Sequence, residues 1–204
     1  MTTYTWKTCQ SNSWTDTDCW EDGAYPNDAT ATTKINLTID LTISFNGQGL
    51  PGGFSVGNLS ITTSNGSALT FNLPYSEGGS MSIDNLVGNA DLTFIGGGFC
   101  VIKTPSDYKN TISVSGVTTL HLSSLPFATI QLTDSSILTT SVGKQITRIY
   151  SLIIDNNSII YLYGTFSIGA SFCPLNSICG NYRCTVTESY LNYQTLSKCE
   201  SLTE

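Results

Sequence analysis

The residues able to do chemistry are few and scattered. The one histidine, His121, lies in Thr118-Thr119-Leu120-His121-Leu122, where alternation sets it opposite the two leucines on the outward side of a strand. A lone imidazole makes no zinc site, and no Ser-His-Asp arrangement is recognisable around it. It reads as a surface histidine. Glycoside cleavage needs two carboxyl groups flanking one bond, and calcium needs several oxygens around one ion. Of the 15 acids, Asp40, Glu77, Asp84, Asp91, Asp107, Asp134 and Asp155 are widely spaced and form no repeated Asp-x-Asp. Only Asp16, Asp18, Glu21, Asp22 and Asp28 crowd together, and solvated turn acids describe them better than a calcium site. Gly96-Gly97-Gly98 has neither the Lys-Ser/Thr nor the helix that a phosphate loop needs, so it reads as a tight turn. The expectation is a non-catalytic chain with no cofactor and no metal.

Cysteine and asparagine carry the remaining chemistry. Seven cysteines fall near the two ends, apart from Cys100. Cys9 and Cys19 read as one disulfide, and Cys173, Cys179, Cys184 and Cys199 as two more whose connectivity stays open. Cys100, inside the apolar run Phe99-Cys100-Val101-Ile102, reads as a buried free thiol; if exposed, it would suggest an intermolecular bond. Terminal cysteine clusters belong to an oxidising compartment. Four Asn-x-Ser/Thr sequons, at Asn36, Asn58, Asn65 and Asn156, fit an extracellular or cell-surface protein and would carry glycans in a eukaryotic host. Met1 to Gln10 contain no basic stretch leading into an apolar one, so the chain reads as a mature form or a piece of a longer precursor.

The elements that hold these residues follow from composition and period. Thr, Ser, Asn and Gly number 29, 26, 15 and 18 and make up 43% of the 204 residues, whereas charged residues number 23. Such a chain disfavours helices and suits strands and turns. With 8 basic against 15 acidic residues, net −7, it offers phosphate backbones little, so nucleic acid is excluded as a partner. No run of 18 apolar residues exists to span a membrane. Residues 35–45 alternate apolar and polar without a break and predict one long strand with Asn36 outward. Thereafter short pairs such as Leu59/Ile61, Phe71/Leu73, Met81/Ile83, Leu92/Phe94, Ile112/Val114, Leu120/Leu122 and Ile130/Leu132 recur between small polar residues. Hairpin signals are scarce for so many strands. The pattern predicts an all-β chain, a right-handed parallel β-helix with coils of about three strands and 25–30 residues, with a β-sandwich or jelly roll as the alternative.

The ends differ from the middle, which divides the chain into an aromatic, disulfide-bearing cap (1–30), a solenoid body (31–170) and a cysteine-rich cap (171–204). Thr2 to Thr8 alternate around Tyr4 and Trp6. This strand either folds onto its own first coil or adds to a neighbouring copy as an assembly strand.

Ser13-Trp14-Thr15-Asp16 through Trp20-Glu21-Asp22-Gly23-Ala24-Tyr25-Pro26-Asn27-Asp28 resembles the opening of secreted β-helix surface proteins, including bacterial adhesin-like repeats and G8 domains. Residues 152–168 are loosely similar to later coils of the same proteins. The resemblance implies the architecture and an extracellular setting, and it transfers no activity. The function expected is a structural or adhesive module, a glycosylated filament or surface-layer subunit whose partners are other copies of itself. The rival is a carbohydrate-binding or carbohydrate-cleaving β-helix using outward aromatics such as Tyr161 and Tyr163. Ice binding would need Thr-x-Thr at a fixed period, which Thr38/Thr42, Thr118/Thr119 and Thr139/Thr140 do not keep.

Overall fold

A computed structural model describes residues 2–45, 53–75, 79–104, 108–123, 128–140, 143–155, 158–161, 164–172, 178–179 and 182–184. They form 17 strands: β1 (Thr3–Thr5), β2 (Asp28–Leu37), β3 (Leu41–Ser44), β4 (Phe54–Thr63), β5 (Leu69–Asn72), β6 (Ser80–Gly88), β7 (Leu92–Ile95), β8 (Phe99–Thr104), β9 (Ile112–Val114), β10 (Thr119–Leu122), β11 (Thr129–Leu132), β12 (Ile137–Thr140), β13 (Gly143–Ile154), β14 (Ile159–Tyr161), β15 (Gly164–Phe172), β16 (Ile178–Cys179) and β17 (Tyr182–Cys184). Among the described residues there is no α-helix, only a 3-10 turn at Thr17–Cys19. β1 and the even-numbered strands make one sheet, and the odd-numbered strands from β3 onward make the other. Every ladder between these strands is parallel. Antiparallel contact is confined to the isolated bridges Trp6–Trp20 and Pro74–Gly97. An all-β chain that alternates between two parallel sheets is compatible with a β-solenoid, whereas a sandwich made of hairpins would need antiparallel ladders.

The coil differs from the three-strand expectation. Each repeat takes one strand from each sheet; its length falls from the first coils to the middle of the chain and then rises to 22 residues, where Thr129 lies beside Ser151 and Ile137 beside Ile159. Thr32 lies beside Asn58, 26 residues on, and Asn58 beside Asn85, 27 on; Val101 lies beside His121, 20 on, and Leu120 beside Leu138, 18 on. The wide early coils keep their extra length by bending one strand. β4 buries Phe54 and Val56 and then Leu59 and Ile61, so its alternation slips by one at Gly57-Asn58. β6 repeats the slip at Asp84-Asn85, between buried Ile83 and Leu86. Such a slip turns the strand while keeping apolar side chains inward on both sides of it. Gly57 sits at the bend because a Cβ there would stand 2.3 Å from the carbonyl oxygen of Ala29. A second glycine, Gly88, ends β6 where a Cβ would stand 1.9 Å from the Ile61 carbonyl oxygen.

The core is a set of stacked inward ladders. In the first sheet Phe54, Met81, Cys100, Leu120 and Leu138 stack in register, as do Val56, Ile83, Ile102 and Leu122. In the second, Leu41, Leu69, Leu92, Ile112 and Ile130 form one column and Ile43, Phe71, Phe94, Val114 and Leu132 the next. All are fully or almost fully buried except Leu41, which is partly so.

The predicted strand over 35–45 is broken at its centre. β2 stops at Leu37 and β3 begins at Leu41; between them Ile39 is 67% exposed. The next coil holds this corner: Asn65 Nδ2 donates to the Thr38 carbonyl (2.6 Å) and Asp40 Oδ1 accepts from the Ala68 amide (2.9 Å). Period two survives across the corner because both flanking strands still face the same core. Asp91, accepting from the Thr111 amide (2.9 Å), and Asn89 and Asn110, donating to the Thr63 and Asn89 carbonyls (2.9 and 2.7 Å), staple later corners in the same way.

The aromatic opening closes the first coil. Trp14 and Trp20 are fully buried and Trp6 nearly so; Trp20 meets Trp6 and Trp14 edge-on, and Trp14 stacks on Phe45. Both buried indole N–H groups are satisfied, Trp14 by the Pro26 carbonyl and Trp20 by that of Trp14, at 2.9 Å each. β16 and β17 continue the two sheets within 171–204.

Candidate functional site

The outer faces of the two sheets are the surfaces on which a site must be built, and they differ. On the second sheet Thr42, Thr70, Thr93, Ser113 and Gln131 stand in register, at roughly 4.8 Å per strand. A shorter column, Ser44, Asn72 and Ile95, runs beside it. Neither column contains a charge. The first sheet carries Lys34, His121 and an Asp84–Lys103 ion pair at 2.6 Å on its outer side. The threonine column has no period in sequence because the coils that separate its members shrink. Its neighbouring column is mixed, so repeated Thr-x-Thr is not what the register produces.

His121 falls where alternation put it, half-buried between Leu120 and Leu122 and opposite Thr139, whose Oγ1 lies 2.8 Å from its Nδ1. Burial holds its pKa below the ordinary imidazole value. The acids of the opening are used locally. Asp16 caps the 3-10 turn by accepting from the Asp18 amide (2.9 Å) and takes the Ser11 hydroxyl. Asp28 accepts the amide and hydroxyl of Thr30 at 2.8 and 2.9 Å. These bonds lower both carboxyl pKa values. Among the described residues no three His, Cys, Asp or Glu side chains converge as metal ligands. Further along, Asp134 accepts from Ser115 Oγ (2.6 Å), and Asp155 accepts from the Asp134 and Ser158 amides (2.7 and 2.8 Å). These carboxylates bind backbone and hydroxyl donors at corners of successive coils.

Cys9 and Cys19 form a disulfide with Cα atoms 5.0 Å apart, which fits an oxidising compartment. Cys100 is free and fully buried between Met81 and Leu120. Burial raises its pKa far above the usual thiol range, so no thiolate is available to react. Cys173 and Cys199 lie outside the described residues; Cys179 and Cys184 fall in β16 and β17, and the pairing of all four is likewise outside them.

The sequons separate by environment. Asn36 is exposed on β2, its Oδ1 accepting the Thr62 hydroxyl at 2.6 Å. Asn58 is half-buried, and its Oδ1 accepts from Asn85 Nδ2 at 3.1 Å. Asn65 is a corner staple: Oδ1 accepts the Ser67 hydroxyl and amide (2.7 and 3.1 Å) while Nδ2 holds Thr38. Asn156 lies outside the described residues, as does Tyr163. Tyr161 ends β14, in register with Thr139.

β1, the strand assigned to assembly, pairs with β2 of its own chain. Beyond it, the Glu21 amide donates to the Thr5 carbonyl (3.0 Å) and the Lys7 amide to that of Cys19 (2.9 Å). Tyr4 is half-buried against the core. On the other sheet, the Trp14 amide donates to the Ser44 carbonyl and the Ser44 amide to that of Asn12, both at 2.9 Å. Residues 2–21 thus lie over the starting edge of both sheets, and the turn at Cys19–Glu21 occupies backbone groups from Thr5 to Lys7 that could otherwise pair with another strand.

Gly96-Gly97-Gly98 forms a turn between coils, as expected. It is one of a stack: Gly96 and Gly97, Gly116 and Val117, and Asp134 and Ser135 all have positive φ. Alternation did not single out the exposed side chains at this corner, Tyr75 and Val117, because neither lies in a strand. No protein-family model, curated protein or solved structure matches the chain.

Proposed function

We propose that this protein is a non-catalytic extracellular structural or adhesive module, built as a right-handed parallel β-helix, that packs against copies of itself in a glycosylated filament or surface layer. The observation that carries this reading is the uncharged hydroxyl and amide column Thr42, Thr70, Thr93, Ser113 and Gln131 on the second sheet. Such a face can approach an identical face without desolvating a charge. The right hand is supported by the strong preference of parallel crossovers, the extracellular setting by the Cys9–Cys19 disulfide, and glycosylation by the exposure of Asn36. The resemblance of residues 13–28 to secreted β-helix surface proteins supports the same setting. Because β1 pairs with β2 of its own chain, association in this reading uses the sheet face and leaves β1 in its own subunit.

Negative-stain microscopy of concentrated native protein should show filaments or sheets; dispersed single particles would refute self-assembly. A second reading, carbohydrate binding, is favoured by one observation, the exposure of Tyr75 at 88%.

A further inference from the structure

Four large apolar side chains are exposed among the described residues: Ile39, Tyr75, Phe99 and Val117. Three of them sit at one corner. A Cβ on Gly97 would stand 3.3 Å from Val117 Cγ2 and 3.5 Å from Tyr75 Cβ, so Tyr75 from the preceding coil and Val117 from the following one both border a glycine floor. Phe99, 41% exposed, opens the strand two residues beyond that floor. Val117 holds its place at φ 55°, a conformation that strains a β-branched residue. The equivalent positions of the stacked turn hold Gly97 and Ser135, at φ 85° and 65°. The turn therefore does not require valine, and at 57% exposure the side chain gains little from the core.

The size of the patch decides its partner. Three such side chains expose on the order of 300–400 Å², well short of the roughly 800 Å² per partner that a stable protein interface buries. It matches one small ring. Polar groups border it: Asn72 Oδ1 lies against Gly96, and Ser115 is bonded to Asp134 one coil further on. A net charge of −7 disfavours anionic ligands. An apolar platform edged by an amide and a carboxylate suits a neutral pyranose, whose C–H face lies on an aromatic ring while its hydroxyls bond at the margin.

We infer that the Tyr75–Gly97–Val117 corner binds a neutral sugar ring, with Tyr75 as the stacking platform. The inference rests on the carbohydrate-binding reading and gives it a location. Its test is a panel of neutral glucan, mannan and chitin oligosaccharides, screened on an array and titrated calorimetrically against the full chain. Wild type should bind at least one of them, Tyr75→Ala should bind it about tenfold more weakly or not at all, and Tyr161→Ala should bind like wild type. Val117→Gly, which relaxes the turn, should weaken binding several-fold while leaving the strand circular dichroism unchanged. Unaltered affinity in Tyr75→Ala would remove the corner and leave the glycan reading standing. A wild type that binds none of the panel would remove the glycan reading and the corner with it.

Discussion

The two sheets bury the same kind of ladder and show different outer faces. Inside, Met81, Cys100 and Leu120 of the first sheet face the core as Leu69, Leu92 and Ile112 of the second do. Outside, the first carries Lys34, the Asp84–Lys103 pair and His121, and the second an uncharged column from Thr42 to Gln131 before β13 and β17 bring Lys144, Arg148 and Arg183 into that sheet. Core packing demands little of outward positions, so the difference is not required by the fold. On the proposed function, the uncharged column is the part of the second sheet that contacts another copy.

Several substitutions would break or sharpen that contrast. The largest effects belong inside, where the sheets should behave alike. Phe71→Ala in the second sheet should cost about 3–5 kcal/mol and Leu120→Ala in the first about 2–5 kcal/mol, since each removes a fully buried side chain from a stacked column. Denaturant midpoints would measure both, and a cost below about 1 kcal/mol in either would mean that sheet does not carry the core. Next comes the cap. Replacing Cys9 and Cys19 together with Ala opens a cross-link of sequence separation 10 and should cost about 2–3 kcal/mol. The buried Trp6, Trp14 and Trp20 should keep the cap in place, so tryptophan fluorescence of the folded variant should match wild type.

On the outer faces stability should hardly respond. Lys103→Gln breaks an ion pair whose side chains are 53% and 36% exposed, so solvent screening limits the loss to about 0.5 kcal/mol. The smallest effect belongs to His121. Burial lowers its folded pKa, so the unfolded chain binds its proton more readily. The stability tied to neutral His121 is complete above the unfolded value near 6.5 and is lost as pH falls through the lower folded value. A Tm series from pH 7.5 to 5 should slope downward less in His121→Gln than in wild type; equal slopes would refute the linkage.

How legible this was in the sequence depends on whether a feature is local. Pairs such as Leu59/Ile61 and Leu120/Leu122 declare their inward faces within three residues, and the burial of these side chains agrees. The Cys9–Cys19 bond and the Gly96-Gly97 turn are local as well. Non-local features stayed hidden. Residues 35–45 alternate through a corner whose hold lies more than 25 positions away, in the Asn65 side chain and the Ala68 amide. Coil size was misread as three strands because the bend at Gly57-Asn58 adds residues without adding a sheet. The column Thr42, Thr70, Thr93 and Ser113 has spacings of 28, 23 and 20 residues, so no fixed period reveals it. Tyr75 emerged only from its exposure, since its neighbours in sequence give no alternation to read.

The central claim is that the uncharged column from Thr42 to Gln131 on the second sheet mediates association. Sedimentation velocity over a concentration series, comparing wild type with Thr70→Lys/Thr93→Lys, tests it most directly. Both substitutions point outward on strands whose inward residues are unchanged, so folding should be preserved within about 0.5 kcal/mol. The prediction is concentration-dependent assembly of wild type and a monomer at every concentration for the lysine variant. Identical sedimentation of the two proteins, whether both assembled or both monomeric, would contradict it.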